Sequence, residues 1–543
     1  SYIQQGGNTL YIGNTESGNT VFEVNGSERL RVTSDGKVRL PDNGKLTLGA
    51  GDDLQIWSDN TDQYIRGEQN QLIVRSNNLR LQSYLGENYI HCAMNNAVSL
   101  YYDNVKKLET TATGVEVSGA TKTDTLEVTQ EYPSIRPTLD LNFAATKTLD
   151  RRITFTRDGV GTYVDDMGIV KYASNNTPRF DHNPTTGESL GLLIEESRTN
   201  VATYSTDYTN AVYNKLSATV VDNQAVAPDG TTTADLLHPS SSGSGRGLEI
   251  NSFVLGTGKW TTSLYVKSAG LSWIALYGVN GGARAHFDVS NGTKGSANGG
   301  GDPIDDWDII DAGNGWYRCY ITIDLIDNTG AEYFYIYFGS SDNSTTVTAN
   351  GTDGVYIWGT QVEQGSFPTS YIPTSGSTVT RDDDNAVIKG TDFTDFYNET
   401  EGTLFAEFNT EVTSGNVSKW VMSMRQPDNN NNYIAMTTYN TTKQPITINN
   451  NGSPQAGITG GGNVVAGVFT RMVGSYKLND VDAAVDGTLL TPDTNATMPT
   501  GLTQMDIGRG WTNSDQQLEG RIKSIKYYNK KLPDAQLQCL TQQ

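Results

Sequence analysis

Short bursts of alternating apolar and polar residues, each closed by a glycine turn, constrain this chain more than any other feature. Thr9-Leu10-Tyr11-Ile12, Val21-Phe22-Glu23-Val24, Leu30-Arg31-Val32, Leu46-Thr47-Leu48 and Leu54-Gln55-Ile56 carry the period of two expected of half-buried strands. Asn25-Gly26, Asp35-Gly36, Asn43-Gly44 and Gly51-Asp52 separate them, and such pairs supply the backbone conformations that tight hairpins require. The irregular spacing predicts many small hairpins rather than one compact sheet.

Weak internal echoes accompany the pattern. The stretch from Asn25 to Gly36, with Arg29-Leu30, matches Asp103 to Gly114, with Lys107-Leu108, and Tyr64-Ile65, Asn70 and Ile73 match Tyr89-Ile90, Asn95 and Val98. Repeats of this kind predict an elongated body. One copy buries too little apolar surface to offset its ordering entropy. Residues 1–128 are therefore expected to form a fibrous β-repeat shaft that trimerises, making the protein a homotrimer.

Residues 129–200 read as a connector, with Pro133, Pro137, Pro178 and Pro184 and the loop-like run Phe180-Asp181-His182-Asn183-Pro184. Longer strand patterns fill 201–378, among them Thr261 to Lys267, Trp273 to Tyr277, Trp316 to Ile323 and Tyr333 to Phe338. They predict a β-sandwich of jelly-roll type. A second sandwich is expected over 379–543, from Gly402 to Phe408, Trp420 to Met424 and Arg521 to Tyr528, closed by a short helix at Leu532-Pro533-Asp534-Ala535-Gln536-Leu537. The fold class is all-β.

At 543 residues the chain needs several cores. Its Gly 57 and Tyr 28, against only 18% charged residues, favour strands and turns over helices. A net charge of −22 opposes polyanions, so no nucleic acid is expected as a partner. No apolar run is long enough for a membrane helix, so no membrane insertion is expected either. The start, Ser1-Tyr2-Ile3-Gln4-Gln5, has no signal-peptide pattern, and Cys92, Cys319 and Cys539 form no disulfide framework. Folding in a reducing cytoplasm is expected. His91, His182, His238 and His286 stand apart from one another, which leaves zinc sites and histidine-based triads unsupported.

The phrase from Leu100 to Thr110, Leu-Tyr-Tyr-Asp-Asn-Val-Lys-Lys-Leu-Glu-Thr, resembles repeats in tail fibres of tailed bacteriophages, cyanophages especially. Arg152 to Arg157, Pro178-Arg179-Phe180-Asp181 and Gly191 to Asn200 resemble a segment common in phage structural proteins. The middle domain, ending in Val355-Tyr356-Ile357-Trp358-Gly359-Thr360-Gln361-Val362-Glu363, is similar to phage jelly rolls related to carbohydrate-binding modules. The last, with Ile507-Gly508-Arg509-Gly510 and Leu518-Glu519-Gly520-Arg521-Ile522, resembles laminin-G and concanavalin A-like lectin domains. Many such fibres end in a self-cleaving chaperone, which this sequence lacks, so it is expected to trimerise unaided or to have lost that part.

The resemblance implies a virion tail fibre, made in the host cytoplasm, that binds bacterial surface polysaccharide or lipopolysaccharide and contacts other phage tail or capsid proteins. Sugar recognition needs flat aromatic faces and nearby hydrogen-bonding groups. Trp511, with Asn513 and Asp515 in the same loop, meets that need. Arg425, Asp428, Asn430 and Tyr433 are the facing candidates, although the run Asp428 to Tyr433 reads equally as a solvated hairpin tip. Trp307, among Asp302, Asp305, Asp306 and Asp308, would support a sugar or a Ca²⁺ ion, and no other cofactor is expected. Trp260, Trp273, Trp316, Trp358 and Trp420 alternate with apolar neighbours and are expected in the core. No local carboxylate pair marks a glycosidase, so no enzyme is expected. The alternatives are a polysaccharide-depolymerising tailspike and a purely structural capsid or tail fibre.

Overall fold

The computed structural model describes residues 2–542 apart from 7–8, 14–16, 49–51, 68–71, 95–96, 112–113, 119–135, 279–281, 327–329, 412–417, 428 and 512–515. It is all-β, with antiparallel sheets throughout. The chain divides into two compact units, Ser1–Thr129 and Gln130–Gln543.

The first unit is a succession of small sheets. Tyr2–Gly6 pairs with Thr9–Gly13. Thr20–Val24, Ser27–Val32 and Val38–Arg39 form a three-stranded sheet, and Leu46–Leu48, Leu54–Ser58 and Gln63–Gly67 form another. A five-stranded sheet follows, from Asn78–Gln82 to Gly114–Val117. Asn25 and Gly26, at φ 54° and 73°, make the first of the expected hairpin turns.

Among the described residues of this unit, no apolar side chain is buried; only Gln55 and Ser99 are. Ile65 and Val38 stay about two-thirds exposed, and Leu85 almost wholly so. Backbone ordering costs about 1–2 kcal/mol per residue, and among the described residues of this unit no buried apolar side chain offsets it.

In the second unit, two six-stranded sheets form the middle sandwich. One runs Tyr213–Leu216, Gly247–Phe253, Glu332–Gly339, Trp273–Gly278, Ala283–Asp288, Thr293–Asn298. The other is built on Gly258–Ala269, which lies between Gly354–Gln364 and Tyr317–Leu325. Their facing apolar residues, including Leu248, Ile274 and Phe334 against Leu264, Ile321 and Ile357, make one core.

The last sandwich packs a sheet centred on Gly520–Tyr528 and Glu401–Phe408 against one centred on Ser418–Gln426 and Gln504–Ile507. The closing helix spans Asp534–Thr541, with Pro533 as its N-cap.

Residues 136–200 do more than connect. Leu139–Asn142 and Ser189–Ile194 both pair with Gly520–Tyr528, and Thr154–Thr156 pairs with Asn385–Lys389. Leu139, Leu141, Phe143, Phe155, Leu192 and Ile194 enter the core of the last sandwich, and their burial draws these short strands there.

A buried charge knot fixes the same segment. Arg179 bonds Glu195 at 2.6 Å and Asp384 at 2.5 Å, Arg381 bonds Glu195 at 2.5 Å, and Arg157 lies 3.2 Å from Asp384. Ser370 adds a backbone N–H to Glu195 at 2.6 Å. Burial alone would raise the Glu195 carboxyl, but Arg381, Arg179 and Ser370 hold it well below its ordinary value. Arg157, Arg179 and Glu195 thus join this segment to both sandwiches.

Candidate functional site

The site begins with the two faces of Ser418–Gln426. Met422 and Met424 point into the core together with Ile434, Met436, Met505 and Ile507 from the neighbouring strands. Ser423 and Arg425 take the opposite face, beside Asp506 and Tyr433. A register shift between Trp420 and Met422 turns Trp420 outward as well.

Arg425 and Asp506 are buried on this outer face and form a two-point ion pair, Nε to Oδ2 at 2.5 Å and Nη2 to Oδ1 at 3.2 Å. The remaining nitrogen, Nη1, donates to the carbonyls of Gln426 and Pro427 at 3.1 and 2.6 Å. Gln504 donates to Asp506 Oδ1 at 2.9 Å. All three guanidinium nitrogens are therefore bonded within the protein, and the plane offers a surface.

On that surface lies Trp511, its ring centroid 4.9 Å from Arg425 Cζ. The indole is half-buried. Gly510 before it permits a close approach, since a Cβ there would meet Gln516 Oε1 at 2.2 Å. Tyr433 sits across from Arg425, 5.3 Å from the Trp420 ring and tilted by 62°. Burial raises the Tyr433 phenol above its ordinary value, so it stays a hydrogen-bond donor at neutral pH. Trp420 Nε1 and Ser423 Oγ are buried without a partner in the same neighbourhood.

Three aromatic rings and a tethered guanidinium thus share one sheet face. Such a face can stack on the apolar side of a pyranose.

No protein-family model matches the chain, and no curated protein matches it. Among solved structures it is similar to the Ruminococcus gnavus IT-sialidase CBM40 bound to alpha2,3 sialyllactose, at 17% identity over 27% of this chain and 84% of that one, with a TM-score of 0.24. A SAP-like pentraxin from Limulus polyphemus matches at 11% identity, over 25% of this chain and 68% of that one, with a TM-score of 0.22. A point mutant of the NanB sialidase from Streptococcus pneumoniae matches at 15% identity, over 28% of this chain and 26% of that one, with a TM-score of 0.23. Scores this low decide neither fold nor ligand, and the sandwich assignment rests on strand order and core.

Of the residues expected from sequence, Trp511, Arg425 and Tyr433 come together. Arg425 does so as a buried support rather than as a free hydrogen-bonding arm. Asp428, Asn513 and Asp515 lie outside the described residues, and Asn430 is placed only as backbone, within Asn429–Tyr439.

Trp307 belongs to the middle sandwich, on Ile304–Asp311, with Lys294 Nζ 5.1 Å from its ring centroid. Its neighbouring carboxylates do not converge. Asp305 binds Lys259 at 2.6 Å, Asp306 binds the Tyr320 hydroxyl at 2.7 Å, and Asp308 faces Lys294 at 3.8 Å. Among the described residues no group of three or more His, Cys, Asp and Glu is placed to hold a metal ion.

Trp260, Trp316 and Trp358 are buried as expected. Trp273 and Trp420 are not: both are half-exposed, on outer sheet faces. Trp420 is the residue of this site that sequence reasoning missed, because the register shift beside it breaks the alternation on which the inside-outside assignment relies.

Proposed function

We propose that the chain is a subunit of a homotrimeric virion tail fibre that attaches to bacterial surface polysaccharide without cleaving it. The observation that carries the fibre reading is the first unit, where every apolar side chain described remains accessible in a single chain. Partner copies of the same chain are the natural cover for strands that lack a core.

Glycan attachment rests on the face formed by Trp511, Tyr433 and Trp420 over Arg425. Asp506, the carboxylate within that face, is ion-paired with Arg425 and accepts a hydrogen bond from Gln504, so its oxygens are engaged within the protein. Three weak sites on one assembly act at high effective concentration, so modest single-site affinity suffices for attachment.

The test is binding of the purified full chain to a panel of extracted bacterial surface polysaccharides, wild type against Trp511→Ala, with reducing ends assayed in the same samples. Binding that falls at least tenfold in the variant, with no sugar released, supports the reading. Unchanged binding places attachment elsewhere, and release of reducing ends makes the protein a depolymerase.

A further inference from the structure

The middle sandwich carries a second aromatic face. In Glu332–Gly339, Phe334, Ile336 and Phe338 enter the core, so Tyr333, Tyr335 and Tyr337 stand on the outer side. In the adjacent Trp273–Gly278, Ile274 and Leu276 point inward, leaving Trp273, Ala275 and Tyr277 outward. Tyr277 pairs with Tyr335, and Ala275 with Tyr337.

The rings form a continuous surface. Tyr335 and Tyr337 lie 5.3 Å apart and nearly parallel, at 14°. Tyr277 meets Tyr337 edge-on at 5.0 Å, and Arg284 Cζ sits 5.7 Å from the Tyr277 ring centroid. Glu249 is opposite Tyr335 on the other neighbouring strand. Burial, with Glu249 adding, raises the Tyr335 phenol to about 12, and burial with Tyr277 raises that of Tyr337 to about 12. Both hydroxyls remain protonated.

His286 is buried within this surface, 6.4 Å from the Tyr277 ring and next to Ala275 in register. Neither ring nitrogen has a partner. Burial lowers its imidazole below the ordinary value, Asp342 pulls the other way, and Arg284 adds to the lowering.

A wall closes one end. Asp342 accepts from the Ser296 N–H at 2.7 Å and from its hydroxyl at 2.6 Å. Gly295 makes room for it, because a Cβ there would meet Asp342 Oδ1 at 2.3 Å and the Trp273 ring at 2.7 Å.

We propose that this tyrosine face, bounded by Arg284, Glu249 and the Asp342 loop, is a second glycan-binding surface that takes pyranose units of a polysaccharide. Pyranose rings stack on the phenol faces, and their hydroxyls meet the phenols, Arg284 and Glu249. An extended peptide is a poorer match. Glu332–Gly339 is hydrogen-bonded on both sides, so the face offers no free strand edge for a peptide to join. The surface is independent of Trp511, although it shares with the proposed function the premise that the ligand is a glycan.

The test uses the full chain and oligosaccharides released from purified capsular and lipopolysaccharide preparations, with titrations of wild type, Trp511→Ala, Tyr335→Ala, Tyr335→Phe and Trp511→Ala/Tyr335→Ala. Thermal unfolding serves as the folding control. Binding that persists in Trp511→Ala, falls at least tenfold in the double variant and is largely kept in Tyr335→Phe supports the second surface. If Trp511→Ala alone removes all binding, the second surface is overturned while the proposed function stands. If Tyr335→Ala removes it and Trp511→Ala does not, the second surface stands and the last-domain site fails. Wild type that binds none of these oligosaccharides, or a face that captures peptide instead, overturns the proposal.

Discussion

Arg425 holds Trp511 from beneath: its guanidinium carbon lies 4.9 Å from the indole centroid while Asp506 fixes two of its nitrogens. The aromatic platform is thus coupled to a buried ion pair. Arg425→Met should both destabilise the last sandwich and weaken glycan binding, since removing one partner leaves Asp506 buried and uncompensated, a loss of about 3–5 kcal/mol. Denaturant unfolding and polysaccharide titration of the same variant check this. Unaltered unfolding would show that the pair contributes little.

The charge knot should make stability depend on acid. Glu195 is held well below its ordinary value of 4.5. Its contribution is therefore complete above that pH and is lost as pH falls below it. Glu195→Gln leaves Arg179 and Arg381 without their shared carboxylate and is expected to cost about 3–5 kcal/mol at pH 7. Thermal unfolding from pH 7 to pH 3 should show the gap between wild type and variant narrowing with acid.

Glu519 should behave in the opposite way. Burial and the neighbouring Glu196 raise it well above its ordinary value of 4.5. The folded protein retains a proton that the unfolded chain has released, so this contribution is present below that pH and fades as pH rises. Glu519→Gln is expected to raise the unfolding midpoint at pH 8 and to leave it nearly unchanged at pH 4. A lowered midpoint at pH 8 would contradict the assignment.

Attachment through several sites at once should appear as a difference between the whole protein and its second unit. Residues 130–543 contain their own cores and are expected to fold alone, but to be retained by immobilised polysaccharide at least tenfold more weakly than the full chain. Equal retention would remove multivalency from the account.

Where strands begin and turn was legible in the sequence when the signal was local. Asn25-Gly26 marks its hairpin because that turn needs positive φ at both positions. Trp316 and Trp358 were legible as core residues. The structural part played by residues 136–200 was not. Leu139 pairs with Tyr527, at the far end of the chain, and a four-residue strand carries no trace of so distant a partner. Trp420 was misplaced for a different reason: the register shift beside it breaks the alternation on which the inside-outside assignment relied. The tyrosine row was visible as alternation in Tyr333 to Phe338, yet only the neighbouring strands reveal that Tyr277, Arg284 and His286 join it.

The most direct measurement is the mass of the full chain in solution by sedimentation equilibrium, with Ile65→Asp as comparison. The account predicts three copies of the 59.0 kDa chain for wild type and dissociation in the variant, because Ile65 is among the side chains that partner copies must cover. A wild-type monomer with a folded first unit would contradict it.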